Sequence, residues 1–352
     1  MKNIFLVIML VVLTAGLIFG GCAQSGQGPA PAPSGGDGVI ELSFAHHEPP
    51  PSPSAQIYAQ WAKKVEEQSD GRVKISVYHA QSLVNLRDLW ASVTGGVADI
   101  GLAVLAEASK ELPLATVMKQ SATGIPDGMP ALRIWEELWD TFPELRDEFK
   151  DVKMLYYFAT SASSLHTNDK EVRVPDDVKG MKIIVPPGGA EAEFMRLAGA
   201  TPVALPAPEW FMALERGMAE GGMFPYAPMR IFGTMELHKY HVDPAYGPNM
   251  LYTVMNIDKW NSLPADIQEI FLELGPPTNE LLTNQKADEN TEIRAQAADM
   301  GQIFAELTPE EQAKWDAAVA AASDKWIEET EALGKPASEV FEKAKELAEK
   351  YK

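Results

Sequence analysis

The chain has one cysteine, Cys22, in 352 residues. No disulfide can form within it, so any folded state must be held by its apolar core alone. Apolar residues make up 46% of the chain, which makes such a core feasible. Cys22 also closes an N-terminal segment of distinct character. Lys2 is followed by an apolar run over residues 4–19 and then by Gly20-Gly21. That is the layout of a secretory signal peptide. The competing reading is a single membrane anchor, for which the run falls short of the roughly 20 residues that span a bilayer.

The ending Phe19-Gly20-Gly21-Cys22 resembles a bacterial lipobox. The resemblance implies cleavage after Gly21, removal of residues 1–21, and a lipid on the Cys22 thiol that anchors the chain to a membrane. Under either reading the remaining chain lies outside the cytoplasm, in the periplasm or on the outer face of the cell membrane. After Cys22, residues 23–38 are Gly, Pro, Ser and Ala with two glutamines, one charge, Asp37, and no large apolar residue. Such a segment buries nothing and is expected to be a flexible tether. The folded part is expected to begin near Val39.

Removal of residues 1–21 leaves 331, more than one ordinary core holds, so two lobes are the default. The net charge of the whole chain is −20. Loss of Lys2 takes the mature chain to about −21. An acidic protein repels phosphate backbones, which argues against nucleic acid as a partner. It also argues against electrostatic attachment to a membrane, so a lipid would anchor the chain unaided. No second transmembrane candidate and no internal repeat is present.

Residues 39–45 alternate in polarity and predict a strand. A helix is predicted over 54–68, with Ile57, Trp61 and Val65 on one face. A strand follows over 72–78, a helix over 86–94 and a strand over 98–104. This alternation marks α/β architecture. It recurs as strands over 153–158, 164–168 and 182–186, helices over 190–197 and 208–217, and a strand over 251–257. Long helices are then predicted over 265–274, 280–304 and 309–333, the first two separated by Pro276-Pro277. Thr308-Pro309-Glu310-Glu311 has a capping residue and a first-position proline.

The segment Pro175-Asp176-Asp177-Val178-Lys179-Gly180-Met181-Lys182-Ile183 resembles a motif of the DctP-type solute-binding proteins of TRAP transporters. Gly199-Ala200-Thr201-Pro202-Val203, Glu209-Trp210-Phe211-Met212-Ala213-Leu214, Gly217-Met218-Ala219-Glu220-Gly221 and Trp260-Asn261-Ser262-Leu263-Pro264 continue the match in register. Upstream, Gly71-Arg72-Val73-Lys74-Ile75 and Gly96-Val97-Ala98-Asp99-Ile100-Gly101 also fit. The resemblance implies an α/β, two-lobe periplasmic-binding-protein fold (type II-like), with long C-terminal helices crossing the lobes. Lobe I would take residues 39–162, with 253–352 returning to it and bridging, and lobe II residues 163–252. A small organic ligand would sit in the interlobe cleft and be buried by hinge closure. TRAP membrane subunits are the implied protein partners. No catalysis and no cofactor are implied.

The departures bear on the ligand. The family usually has an arginine where this chain has Ile184, and only a guanidinium clamps a carboxylate through two parallel hydrogen bonds. A second common arginine falls on Ser164, and a common asparagine on Phe224. Burying a carboxylate without a paired cation would cost several kcal/mol, of the order of any buried unpaired charge. The ligand is therefore expected to be apolar, aromatic or weakly polar, with Ile184, Phe224, Tyr226 and Trp210 or Phe211 lining the pocket. The alternative is an organic acid held by a cation from another position. Arg230 is the nearest in sequence, and Arg87, Arg133 and Arg196 are further candidates.

His46-His47-Glu48 suggests a metal, but adjacent residues on a strand point to opposite faces and do not converge on one ion. His46 and His47 stand instead as candidate ligand contacts at the end of the first strand, which faces the cleft in the family. Glu209 begins a helix, where electrostatics alone explain an acid. No G-x-S-x-G, H-E-x-x-H, C-x-x-C or phosphate-loop motif occurs. Three functions are weighed: a binding protein for a membrane transporter, a binding lobe for a sensor, and an extracytoplasmic enzyme. The last lacks a nucleophile–base pair or metal cluster in one neighbourhood.

Overall fold

A computed structural model describes residues 38–188 and 190–352. The expected signal segment, Cys22 and residues 22–37 of the tether lie outside the described residues. Residues 38–352 form one compact unit. Among the described residues no helix is long and apolar enough to cross a membrane.

One mixed sheet runs through the unit in the order β2-β1-β3-β8-β4-β7-β5-β6. β1 (Ile40–Ala45) pairs in parallel with β2 (Val73–Tyr78) and β3 (Ile100–Val104). The helix Pro53–Gln68 connects the first two strands. Ser52 caps it by accepting from Ala55 N at 3.3 Å, and Pro53 takes the first position, where its missing N–H costs nothing. Tyr58, Trp61 and Val65 are buried, as the helical period requires, while Ile57 is only half-buried.

The second half repeats the plan. β5 (Lys182–Val185) pairs in parallel with β6 (Thr201–Ala204) and β7 (Gly221–Phe224). The helices Ala190–Leu197 and Trp210–Glu215 form the connections. Residues of β5 alternate between two cores. Ile183 and Val185 pack with Phe194, Met223 and Trp315, and Ile184 packs with Trp210, Phe224 and Tyr226.

Two long antiparallel strands join the halves: β4 (Val152–Thr167) and β8 (Tyr240–Asn256). β8 pairs with β3 through Leu251–Met255, and β4 pairs with β7 through Ser164–Thr167. The short β9 (Ile303–Phe304) adds to the start of β8. The residues read as two strands, 153–158 and 164–168, are thus one. Ala159-Thr160-Ser161-Ala162-Ser163 carries no apolar alternation because the strand there shifts register and crosses between the halves. The first part of β8 escaped prediction because Pro244, Gly247 and Pro248 interrupt it.

The predicted break at Pro276-Pro277 does not occur. A single helix runs from Ala265 to Asp299 with both prolines inside. Two interior prolines remove two helical hydrogen bonds, at about 3 kcal/mol each in an isolated helix. Tertiary contacts offset this. At Gly275 the helix approaches β4 so closely that a Cβ would stand 2.5 Å from Leu155 O. Asn279 Oδ1 then accepts from Tyr157 N at 2.9 Å, and Thr283 Oγ1 from Ala159 N at 3.2 Å. Further on, Asn290 Oδ1 accepts from Tyr226 N at 2.8 Å. The helix therefore serves both halves. The helix Pro309–Glu331 does the same: Trp315 packs on Phe194, and Trp326 Nε1 donates to Thr116 Oγ1 at 2.7 Å. Its predicted cap is present, with Thr308 and Glu311 bonding reciprocally.

Candidate functional site

The register shifts of β4 open a cavity between the halves. Its volume is about 100 Å³, room for several waters or one small organic molecule. Thr160, Ser161 and Ser163 from β4 and Asn249 and Leu251 from β8 form its floor.

One wall is aromatic. Trp210 and Phe224 stack with ring centroids 4.1 Å apart at 12°, and Phe232 meets Trp210 edge-on at 6.0 Å. Trp210 Nε1 donates to Leu205 O at 2.8 Å, which satisfies its one polar atom and fixes the ring. His47, from the end of β1, lies parallel to Phe232 at 6.3 Å. Leu86, Val104 and Ile231 add aliphatic surface.

Two buried lysines reach the cavity. Lys286, on the long helix, donates to Glu48 Oε1 at 3.0 Å and Ser54 Oγ at 2.8 Å, and lies 3.8 Å from Glu289 Oε2. Burial pushes the Glu48 carboxyl up, but the Lys286 ammonium, His47 and the Ser54 hydroxyl outweigh it and hold the group at about 2. Burial lowers His47 to about 4, against the pull of Glu48, so it is neutral near pH 7. Lys119, which ends the 3-10 turn Ala115–Lys119, is ion-paired with Glu191 at the start of the helix Ala190–Leu197. Both side chains are 2% exposed. Glu107, also lining the cavity, is raised to about 7 by burial, with Arg87 opposing and Glu209 reinforcing.

Of the residues expected at the site, His47, Trp210 and Phe224 line the cavity. Ile184 lies behind the aromatic wall and is fully buried. Tyr226 packs in the same layer and donates to Asp243 Oδ1 at 2.6 Å. Ser164 alternates away from Ser163 and is buried opposite Phe224 in the β4–β7 ladder. Phe211 is half-buried beside Gly233. His46 faces its own half: its Nδ1 accepts from Glu48 N at 3.2 Å and its Nε2 meets His79 Nδ1 at 2.9 Å.

Arg230 is engaged by Glu292 at 2.7 Å and Glu289 at 3.1 Å. Arg87 pairs with Glu209, Arg133 with Glu136 and Glu280, and Arg196 with Glu193. None of the four arginines is among the residues lining the cavity. Among the described residues no group of three or more His, Cys, Asp or Glu side chains could hold a metal ion.

Sequence reasoning missed Lys119, Lys286, Glu191, Glu107 and Phe232. Lys119 carried a signal, being a lone cation in the small and apolar run Leu114-Ala115-Thr116-Val117-Met118-Lys119. Lys286 did not, since a lysine on a polar helix reads as solvated.

The family model described as DctP, bacterial extracellular solute-binding protein, family 7, matches residues 44–330. A solute-binding protein of Chromohalobacter salexigens is 26% identical over 200 residues, 55% of this chain and 57% of that protein. A monocarboxylate 2-oxoacid-binding periplasmic protein of Nostoc sp. is 25% identical over 233 residues, 64% of this chain and 62% of that protein. The matches thus span less than two thirds of these two relatives. A marine metagenome TRAP solute-binding protein from an unidentified microbe, specific for aromatic acid ligands and solved with 3-hydroxybenzoate, is similar over 90% of this chain and 99% of that one. Its TM-score is 0.81 and its identity 26%.

Proposed function

We propose a function on the premise that this chain belongs to the DctP family, family 7 of the bacterial extracellular solute-binding proteins, which bind solutes for transport and are not enzymes. The protein captures a small aromatic molecule between its two lobes and delivers it to TRAP-type membrane subunits. Lobe I comprises residues 39–162, joined by the returning segment 253–352, and lobe II residues 163–252. The lobes close about β4 and β8. The chain is exported and held at the membrane by a lipid on Cys22, with residues 22–38 as its tether.

The observation that carries the ligand class is the cavity wall of Trp210, Phe224 and Phe232. A flat ring slides against such a wall and removes apolar surface from water, at about 25 cal/mol per Å². The cavity offers no arginine, and each of its two buried ammonium groups already faces a carboxylate. A neutral or weakly polar aromatic compound meets this balance without competing for charge.

A second reading is an aromatic acid. It is favoured by Lys119, which among the described residues has one partner for three N–H groups, and by the aromatic-acid specificity of the similar metagenome protein.

Thermal shift of the intact protein tests these readings, because a ligand bound to the native state raises Tm by mass action. Three panels serve: single-ring neutral compounds, single-ring acids, and small aliphatic or sugar acids. Ring compounds are expected to raise Tm. Stabilisation confined to aliphatic or sugar acids would overturn the aromatic assignment.

A further inference from the structure

The Lys119–Glu191 pair has an asymmetry that its ion pairing does not explain. Glu191 Oε1 takes both contacts, the Lys119 ammonium and the Ser163 hydroxyl at 3.0 Å. Glu191 Oε2 is buried and accepts no hydrogen bond among the described residues. A buried polar atom left unpaired costs about 1–3 kcal/mol, and more when the group is charged. Glu191 is also the one partner of the Lys119 ammonium among the described residues, so further N–H donors remain. Lys119 and Ser163 both line the cavity, and Glu191 contacts both of them from directly behind the lining.

We propose that Glu191, Lys119 and Ser163 form the polar end of the cavity, and that Glu191 makes it select ligands with an O–H or N–H donor beside an acceptor oxygen. The donor fills Glu191 Oε2, and the acceptor takes a spare N–H of Lys119. A phenolic hydroxyl and a primary amide both meet this requirement. A bare carboxylate does not, because it sets a negative charge against Oε2 while Lys119 is already neutralised. The proposal rests on reading the cavity as the solute site, and it names the group that an aromatic ligand carries.

The test is calorimetry on the intact protein in mild detergent, with ligands matched for donor content. Benzamide is compared with N,N-dimethylbenzamide, 3-hydroxybenzoate with 3-methoxybenzoate, and isobutyramide with its N,N-dimethyl form, and benzoate is measured alone. The donor-bearing member of each binding pair should be tighter by about tenfold or more, as one hydrogen bond to a charged group allows. In Glu191→Gln the preference should shrink to about threefold or less, and benzoate should bind more tightly because Lys119 is released. A merely structural role for Glu191 would weaken all ligands alike, and that result overturns the proposal. Equal affinity within pairs, or a preference unchanged in Glu191→Gln, also overturns it. Binding of the aliphatic pair alone, with the preference intact, removes the aromatic reading and leaves the donor selection standing. Failure of every donor-bearing compound to bind removes both.

Discussion

His166 Nδ1 stands 2.8 Å from His241 Nδ1, and the outer nitrogens of the two rings face oxygen acceptors. His166 Nε2 meets Phe224 O at 2.9 Å, and His241 Nε2 meets Gln302 Oε1 at 2.8 Å. Gln302 Nε2 donates to Met235 O at 2.8 Å, which fixes the amide with its oxygen toward His241. Three contacts need three protons, and two neutral imidazoles carry two. The hydrogen-bond count thus favours an added proton on the pair. Burial disfavours it and lowers both rings, with His238 adding to the effect at His166, and Gln302 and Asp243 opposing it at His241.

Stability should fall on acidification. Burial lowers His46 and His238 to about 3 and His47 to about 4, from the ordinary 6.5, and lowers His166 and His241 as well. Between those values the unfolded chain binds more protons than the folded one. Stability is therefore complete above about pH 6.5 and is lost as pH falls toward 4. Each such histidine contributes a slope of up to about 1.4 kcal/mol per pH unit. Glu107, raised to about 7, has the opposite sign and gives some relief between pH 7 and 4.5. Below that, Glu48 adds to the loss as it nears its folded value of about 2. A melting temperature that stays flat or rises from pH 7 to 4.5 would contradict this balance.

Lys286→Met should cost about 3–5 kcal/mol, because it leaves Glu48 buried without its cation. Adding Glu48→Gln should restore much of that loss. Denaturant unfolding of the two single variants and the double variant measures the coupling. Additive losses would show that the pair is not a unit.

Phe232→Ala separates binding from folding. Phe232 is half-buried at the cavity rim, whereas Phe224 is fully buried. Its loss should weaken aromatic ligands by about tenfold, in the range of aromatic contact energies plus lost area. It should lower stability by less than the about 3–5 kcal/mol expected for Phe224→Ala. Calorimetric affinity beside the melting temperature tests this.

Ile184→Arg should not create an acid site. The side chain would enter the core behind Phe224, where a charge has no partner. A loss of several kcal/mol is expected, enough to leave much of the protein unfolded. A folded variant with gained affinity for benzoate would show that position 184 reaches the ligand.

Gly188→Ala should weaken ligand capture. Gly188 has φ +67°, and a Cβ there would lie 2.5 Å from Ala106 O and collide with Ser109 Oγ. Strain in the left-handed region adds about 1–2 kcal/mol. Reduced affinity with a larger solution radius of gyration is expected, and unchanged values of both would refute the contact.

Much of the fold was legible because strands and helices alternate with clear periodicity and turn residues separate them. The α/β plan, the helix Pro53–Gln68 and the capped start at Thr308 follow from local chemistry. Illegibility began where tertiary contacts override local signals. Pro276-Pro277 reads as a break and is helical because β4 packs against it. The small residues of Ala159–Ser163 hide a strand because Thr160, Ser161 and Ser163 face a cavity and not a core. The family pattern directs attention to arginines, Arg230 first. The structure supplies lysines from elements 167 residues apart, Lys119 and Lys286, which only the folded chain brings together.

The helix Ala265–Asp299 would be about 50 Å long at 1.5 Å per residue. A rod of that length, bonded to β4 through Asn279 and Thr283 and to Tyr226 through Asn290, is a shared axle. Neither half can melt without stripping contacts from it. Heat should therefore take the molecule apart in a single step, with no stage at which one half survives as a free-standing domain.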